Sequence, residues 1–422
     1  MRGLIAFDLF AGGGGASLGL CYAAAAADRD VAELVAVNHW QPAIDTHRAN
    51  HPWATHFQED LRRVNPRKAL AGKQPLLGLA GPDCTHHSRA RGGAPRKRRE
   101  RALAWDIVRW ARLTEPPALL IENVPEFVEW GPLDERGRPI KARKGEHFQE
   151  FLAALRRLGY AVDWRILCAA DYGDATTRRR LFLQARHCGP FAWPESTHSP
   201  DPEGNLFGGE RYRTAREIID WSIPGSSIFT RKKPLADKTM ARIVEGLRRF
   251  AGERFVLPQL SCGRVRRLDE PLMTITGTGT GNALVEPFLI GVGGPQGRQR
   301  VTSIDAPLGA VLSVNHQYLV RPFLISYYGR GGPGSLDNPL PTATGCDRFG
   351  LVAPITAHDG SRWRVADIHF RMLQPHELAA AHSFPADYLW VGSKKTRTKL
   401  VGNSWPVRTG AALCHALLGA AQ

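Results

Sequence analysis

The chain has 422 residues, 43% hydrophobic and 23% charged, which suits a globular protein with room for more than one core. Lysine and arginine number 56 against 40 acidic residues, a formal net charge of +16, so a polyanion is the expected partner, with nucleic acid favoured over a merely arginine-rich composition. No run approaches the ~18 apolar residues of a membrane span, no signal peptide is expected, and 7 cysteines without a CxxC pair argue against a disulfide framework or a zinc site and for a reducing cytoplasm.

Residues 3–9 predict a buried strand, Phe10 to Gly15 a glycine turn, and Ala16 to Ala27 a helix with Ser17 in its first turn. Leu34 to Val37 predict a strand, Ala43 to Ala49 a helical piece, and Leu76 to Ala80 another strand. Arg101 to Leu113 predict a helix and Ala118 to Ile121 a short strand. Phe148, Phe151, Leu152, Leu155 and Leu158 share one helical face, ended by Gly159; Val162 to Cys168 and Leu181 to Ala185 predict a closing hairpin. Strands alternating with helices imply an α/β fold with an open, largely parallel sheet. The carboxyl ends of such strands share the edge where ligands bind.

The character changes near residue 187. From there to about 365 the chain is rich in Gly, Pro and Arg, with Arg231 to Phe250 the main helical pattern. Leu268 to Thr276 resembles Ile304 to Leu312 and Leu336 to Thr344, and the interleaved Leu284 to Ile290 resembles Leu319 to Ile325 and Leu351 to Ile355. These repeats, at intervals of about 32–36 residues, predict short strands and turns. From about 366 helical patterns return, clearest at Glu377 to Ala381 and Gly410 to Leu418.

The glycine turn would let a nucleotide-like ligand approach the backbone, or it is simply a tight turn. A NAD-type fingerprint would want a third glycine where Ser17 stands, and an acid where Asn38-His39-Trp40 stands. Cys84 and Glu122 each follow a predicted strand, and the edge rule brings both to one site. A thiolate beside a carboxylic acid suits covalent addition with proton transfer. Taken singly, Cys84 is as readily a small buried residue, and Glu122 a capping or ion-pairing group. Ser88 to Arg101 carries seven basic residues in a Gly- and Pro-containing loop. Its position beside Cys84 favours phosphate contact over a solvated loop.

In this order the motifs resemble the DNA (cytosine-5) methyltransferase family, bacterial and phage type. Asp8 to Gly12 with Gly14, Gly15 and Gly19 is similar to the family's first S-adenosylmethionine motif. Asp60 is similar to the acid that meets the adenine amino group, Gly81-Pro82 with Cys84 to the nucleophile loop, and Glu122-Asn123-Val124 to the family's Glu-Asn-Val triplet. Tyr172-Gly173 with Arg178, Arg179 and Arg180 resembles the eighth motif. Arg371 to Glu377 with Phe384-Pro385 resembles the helix start after the recognition domain, and Gly402-Asn403-Ser404 with Pro406 the last motif. The resemblance covers about 1–186 and 366–422.

The resemblance implies a Rossmann-like catalytic domain over 1–186, completed by 366–422, and an irregular β-rich target recognition domain over 187–365 that carries the repeats. It implies Cys84, Glu122, Arg178 and Arg180 as catalytic residues. S-adenosylmethionine would be held by Phe10, Gly12, Gly14, His39, Trp40, Asp60, Pro82, Asn403 and Ser404. DNA would be held by Ser88, Arg89, Arg91, Arg96, Lys97 and Arg98. The expected partner is double-stranded DNA; a monomer without metal or membrane attachment is expected, in the cytoplasm. Four positions depart from the pattern. The family has proline at Asp83, glutamine at Thr85, an acid at His39 and glutamine at Thr176. His39 still offers ribose a hydrogen bond, whereas Asp83 places a negative charge beside a thiol that works as thiolate. The alternatives are an RNA cytosine-5 methyltransferase, a catalytically impaired DNA-binding relative, and transfer of a group other than methyl.

Overall fold

The computed structural model describes residues 3–82, 103–202, 209–230, 232 and 234, backbone strands from 255 to 370, and residues 371–419. Two units emerge: residues 1–174, 178–210 and 382–422 form one, and 175–177 with 211–381 the other.

The first unit is built on a seven-stranded sheet. In chain order its main elements are β1 (Leu4–Leu9), α1 (Gly15–Ala26), β2 (Val31–Val37), α2 (Gln41–Asn50), β3 (Thr55–Phe57), α3 (Pro66–Ala69) and β4 (Leu77–Ala80). There follow α4 (Ala104–Thr114), β5 (Ala118–Asn123), α5 (Glu146–Arg157), β6 (Ala161–Cys168), β7 (Arg179–Arg186), α6 (Lys394–Asn403) and α7 (Val407–Gly419). The strand order is β3-β2-β1-β4-β5-β7-β6. The first five run parallel, while β7 is antiparallel to both β5 and β6. The predicted α/β class and closing hairpin are both present. The three-residue β3 was too short to leave a periodicity.

Both sheet faces are buried, so the strands read as continuous apolar runs. Phe7, Leu9, Leu119, Ile121, Leu181 and Leu183 face α4 and α5, around Ile107, Trp110, Phe148 and Phe151. The alternate residues Leu4, Ala6, Leu79, Leu120 and Phe182 face α1 and α7, around Leu20, Leu413 and Leu417. The last segment of the chain therefore supplies one wall of this core. Gly15 explains how it fits: a Cβ there would sit 2.2 Å from the Trp405 carbonyl oxygen. Gly14 has φ +86 at the N-terminus of α1, a conformation that costs most residues with a side chain.

The second unit is β-rich. Among the described residues its longest element is a ladder between Phe349–His358 and Trp363–Met372, antiparallel, with Leu351 opposite Arg371. The return to helical patterns expected from 366 starts later, because residues 366–372 extend this strand; the helix is Pro375–Ala381. The expected helix Arg231 to Phe250 lies outside the described residues. Phe288–Gly291 and Phe323–Ser326 are strands at matching positions of the repeat. Ile275–Thr276 pairs in parallel with Ala343–Thr344, so identical positions of the first and third copies face each other.

One buried ion pair organises the corner after the long ladder. Arg371 donates to Glu377 Oε2 at 2.9 Å and Oε1 at 3.0 Å, and to the carbonyls of Asp220 and Ile223 at 2.7 Å each. Glu377, fully buried, also accepts the Asp220 and Gln374 backbone N–H groups. Arg371→Met is expected to destabilise this unit by about 3–5 kcal/mol, because it strands the Glu377 charge. Urea unfolding followed by near-ultraviolet circular dichroism checks this.

Candidate active site

Register lines up the strand ends. Phe57 of β3 lies opposite Val37 of β2, Val37 opposite Leu9 of β1, Leu9 opposite Ala80 of β4, and Ala80 opposite Ile121 of β5. The residues that follow each of these share one edge, as expected in parallel sheets. They are the turn from Phe10, His39 and Trp40, Asp60, Gly81-Pro82, and Glu122. The antiparallel β7 brings its beginning, at Arg180, to the same edge, since Asn123 pairs with Leu181.

The glycine turn continues the ladder before it breaks away. Phe10 and Ala11 N–H groups donate to the Val37 carbonyl at 2.9 and 3.2 Å, and Gly81 N–H donates to Leu9 at 3.1 Å. Phe10 has φ +64, a left-handed conformation that costs a non-glycine residue about 1–3 kcal/mol and marks the turn as over-determined by its surroundings. A Cβ on Gly12 would lie 3.6 Å from the Phe10 carbonyl oxygen and 3.9 Å from that of Asn403, ordinary van der Waals contact.

Around this turn stand groups suited to a nucleoside. Trp40 is half-buried at the start of α2, with the Lys399 ammonium 4.2 Å from its ring centroid. His39 is exposed beside it. Asp60 is half-buried, and Arg62 Nε donates to its carboxylate at 2.8 Å. Asn403 is exposed at the end of α6, while the buried Ser404 hydroxyl donates to the Leu400 carbonyl at 2.8 Å.

Glu122 is buried at the end of β5. Arg180 Nε lies 2.8 Å from Glu122 Oε1 and Arg178 Nη2 lies 3.7 Å from it. Arg178 also donates to the Gly402 carbonyl at 3.1 Å, and Arg180 to the Arg179 carbonyl at 2.8 Å. A Cβ on Gly81 would stand 3.8 Å from Glu122 Oε2, and Asn123 Nδ2 donates to the Pro82 carbonyl at 3.4 Å. The carboxylate is therefore held beside the start of the segment that leads to Cys84. Cys84 itself, with Asp83 and Thr85, lies outside the described residues, as do Ser88, Arg89, Arg91, Arg96, Lys97 and Arg98. Among the described residues no cluster of three or more His, Cys, Asp or Glu could hold a metal, and no helix is long and apolar enough to cross a membrane.

Several buried polar residues escaped the sequence reading. Asp8 accepts a 2.6 Å hydrogen bond from the Ser17 hydroxyl, and burial raises its pKa to about 7. Asp174 accepts from the Thr409 hydroxyl at 2.7 Å and N–H at 3.0 Å, and burial raises it to about 6. His382 is fully buried; burial, then the charges of Arg178 and Arg180, push it far below the usual imidazole range. His47 is likewise pushed far down by burial, then by His51 and His56. Burial lowers His51 to about 4. Only the Asp8-Leu-Phe stretch before the glycines hinted at any of these.

These groups shape the pH dependence of stability in opposite senses. The unfolded chain protonates the three histidines near pH 6.5 while the fold keeps them neutral, so each withdraws stability as pH falls below 6.5. The fold keeps the Asp8 and Asp174 protons that the unfolded chain loses above pH 3.8, so their contribution is lost as pH rises through about 6 and about 7. Lowered His56 adds to the three histidines and raised Asp106 to the two aspartates, so histidines outweigh aspartates on the acid side, whereas Asp8 acts from 6.5 to 7. The melting temperature is expected to peak near pH 6.5, and His51→Asn to flatten the acid limb in a calorimetric pH series.

Residues 4–203 match the family model described as C-5 cytosine-specific DNA methylase. The type II methyltransferase M.Sau3AI of Staphylococcus aureus is 31% identical over 185 residues, 42% of each chain. M.SacI of Streptomyces achromogenes is 32% identical over 179 residues, 40% of this chain and 43% of its own. M.AquIA of Picosynechococcus is 28% identical over 230 residues, 52% of this chain and 89% of its own. The chain spans less than half the length of the first two of these curated relatives. Its fold is similar to that of an Entamoeba histolytica methyltransferase, with a TM-score of 0.53 at 11% identity and 100% of both chains covered. It is also similar to that of the S. pombe Dnmt2 methyltransferase, with a TM-score of 0.51 at 16% identity and 99% of both covered.

Proposed function

We propose that this chain, a member of the C-5 cytosine-specific DNA methylase family through its residues 4–203, methylates C5 of a cytosine in double-stranded DNA. The observation that carries this reading is the buried Glu122–Arg180 pair beside Gly81-Pro82, at the edge where the strand before Cys84 ends. The turn at Gly12 and Gly14, the Trp40 ring and the Asp60 carboxylate fit S-adenosylmethionine, an adenosine with an amino-acid tail. With Phe10, His39, Pro82, Asn403 and Ser404 they would hold it. When bound, it supplies an electrophilic methyl group.

Cytosine C5 is a poor nucleophile, so the residues of this chain must activate it. Cys84 Sγ adds to C6, and Glu122 supports the developing charge by a proton or hydrogen bond at N3. C5 thereby gains enamine character. Once C5 has reacted, loss of its proton re-forms the C5–C6 double bond and expels the thiolate. Arg180 and Arg178 act on Glu122, fixing the carboxylate where the base must sit. The target base is stacked in a duplex, so it must swing out to reach this site. Ser88, Arg89, Arg91, Arg96, Lys97 and Arg98 would contact phosphates, and the unit over 211–381 would read the sequence, arginine being suited to guanine.

With tritiated S-adenosylmethionine, transfer to plasmid DNA is expected, at cytosines located by sequencing. Transfer to tRNA and none to DNA would sink this reading. Cys84→Ser should abolish transfer, and Glu122→Gln should lower kcat by about 10²–10⁴-fold. Asp83→Pro should be tolerated or faster at neutral pH, because it removes a charge that opposes the thiolate; a large loss would give Asp83 a role of its own.

A further inference from the structure

Behind the glycine turn lies a hydrogen-bonded chain that no step above uses. It starts at Asp8 on β1 and passes to the Ser17 hydroxyl on α1 at 2.6 Å. Ser17 Oγ is 2.9 Å from His47 Nε2 on α2, and His47 Nδ1 is 2.9 Å from His56 Nε2 on β3. Asp8, Ser17 and His47 are buried, and His56 is half-buried, so the chain runs from the interior toward solvent. Asp8 also accepts the Ser17 backbone N–H. The N-cap of α1 is Gly14, which has no side chain to cap the helix, so Asp8 meets its first turn from the neighbouring strand. Tyr388 secures the same turn by donating to the Gly13 carbonyl at 2.7 Å.

We propose that Asp8, Ser17, His47 and His56 are positioning residues of the cofactor pocket, and that the direction of their hydrogen bonds sets how well the glycine turn receives the cofactor's carboxylate. With Asp8 ionised, every donor points inward: His56 Nε2–H to His47 Nδ1, His47 Nε2–H to Ser17 Oγ, Ser17 Oγ–H to Asp8 Oδ2. When water delivers one proton to His56 Nδ1, its Nε2 proton passes to His47 Nδ1. The His47 Nε2 proton then passes to Ser17, and the Ser17 proton to Asp8. Every bond now points outward, one proton has been added, and Asp8 is neutral. An ionised Asp8 competes with a ligand carboxylate for the positive end of α1, and a neutral one does not.

The groups around the chain leave Asp8 as the one that changes near neutral pH. Cys21 of α1 is pushed up to about 11 by burial, and Tyr388 and Cys414 of α7 are pushed higher still, so all three keep their protons. His47 and His51 stay neutral. His56 is lowered by burial and then by the Arg48 charge, and a hydrogen bond with the Ala54 backbone opposes this in part.

This inference rests on the cofactor reading of the glycine turn. Titration calorimetry with S-adenosylhomocysteine tests both. Wild type should bind roughly three- to tenfold more tightly at about pH 6 than at about pH 8. Asp8→Asn, a neutral isostere, should bind equally at both. The ¹⁵N ring shifts of His47 and His56 should reverse tautomer at the midpoint of the affinity change, a readout independent of how well the variant folds. If Asp8→Asn keeps the wild-type profile, or the tautomers do not follow the affinity, the relay is overturned and the cofactor reading stands. No binding by wild type at any pH overturns both.

Discussion

Everything at the candidate site depends on a close backbone contact between two segments nearly four hundred positions apart in sequence. Gly15, at the head of α1, packs directly on the Trp405 carbonyl, and Tyr388 grips the Gly13 carbonyl from the same late segment. The turn after β1 thus takes its shape from both sides. The ladder bonds to Val37 hold its start, and the residues from Tyr388 to Trp405 hold its back. The glycines there serve packing. A turn so constrained tolerates the left-handed Phe10, which on a free loop would relax.

The same segment reaches the carboxylate site. Trp405 lies edge-on to Phe182 in β7, next to Leu181, which pairs with Asn123. Arg178 donates to Gly402, one residue before Asn403. The glycine-turn edge and the Glu122 edge therefore share one scaffold, and Arg178, 3.7 Å from Glu122, is itself held by the end of α6. Buried cations near a buried carboxylate are stable only when every charge has a partner, and here the partners come from β5, β7 and the α6 terminus together.

The sheet was legible because its strands are buried on both faces and separated by helices with clear apolar stripes. Leu119, Leu120 and Ile121 form a run that only a two-sided strand needs. Glu122 was legible because a carboxylate ending such a run has to be explained. The resemblance to cytosine-5 methyltransferases ordered these fragments, and the family match over residues 4–203 agrees with it. The histidines were not legible. Buried His47 sits on a polar helix, buried His51 directly after it and half-buried His56 on a three-residue strand, where a histidine in sequence looks solvated. Asp8 was hidden by its place in an apolar strand, and Asp174 pairs with Thr409, more than two hundred residues on. Such partners are set by topology, which no local pattern encodes.

The late position of α7 has a consequence for how the molecule comes into being. One face of the sheet, with Leu4, Ala6, Leu79 and Leu120, is covered jointly by α1 and α7. During synthesis the strands and α1 emerge early, whereas α7 follows the whole second unit. That apolar face must wait, covered only by α1, for several hundred residues, a span in which loop closure is slow and sticky surfaces meet other chains. The first unit is thus finished last, and a ribosome that stalls before residue 407 would release a chain whose hydrophobic face invites chaperones or proteolysis.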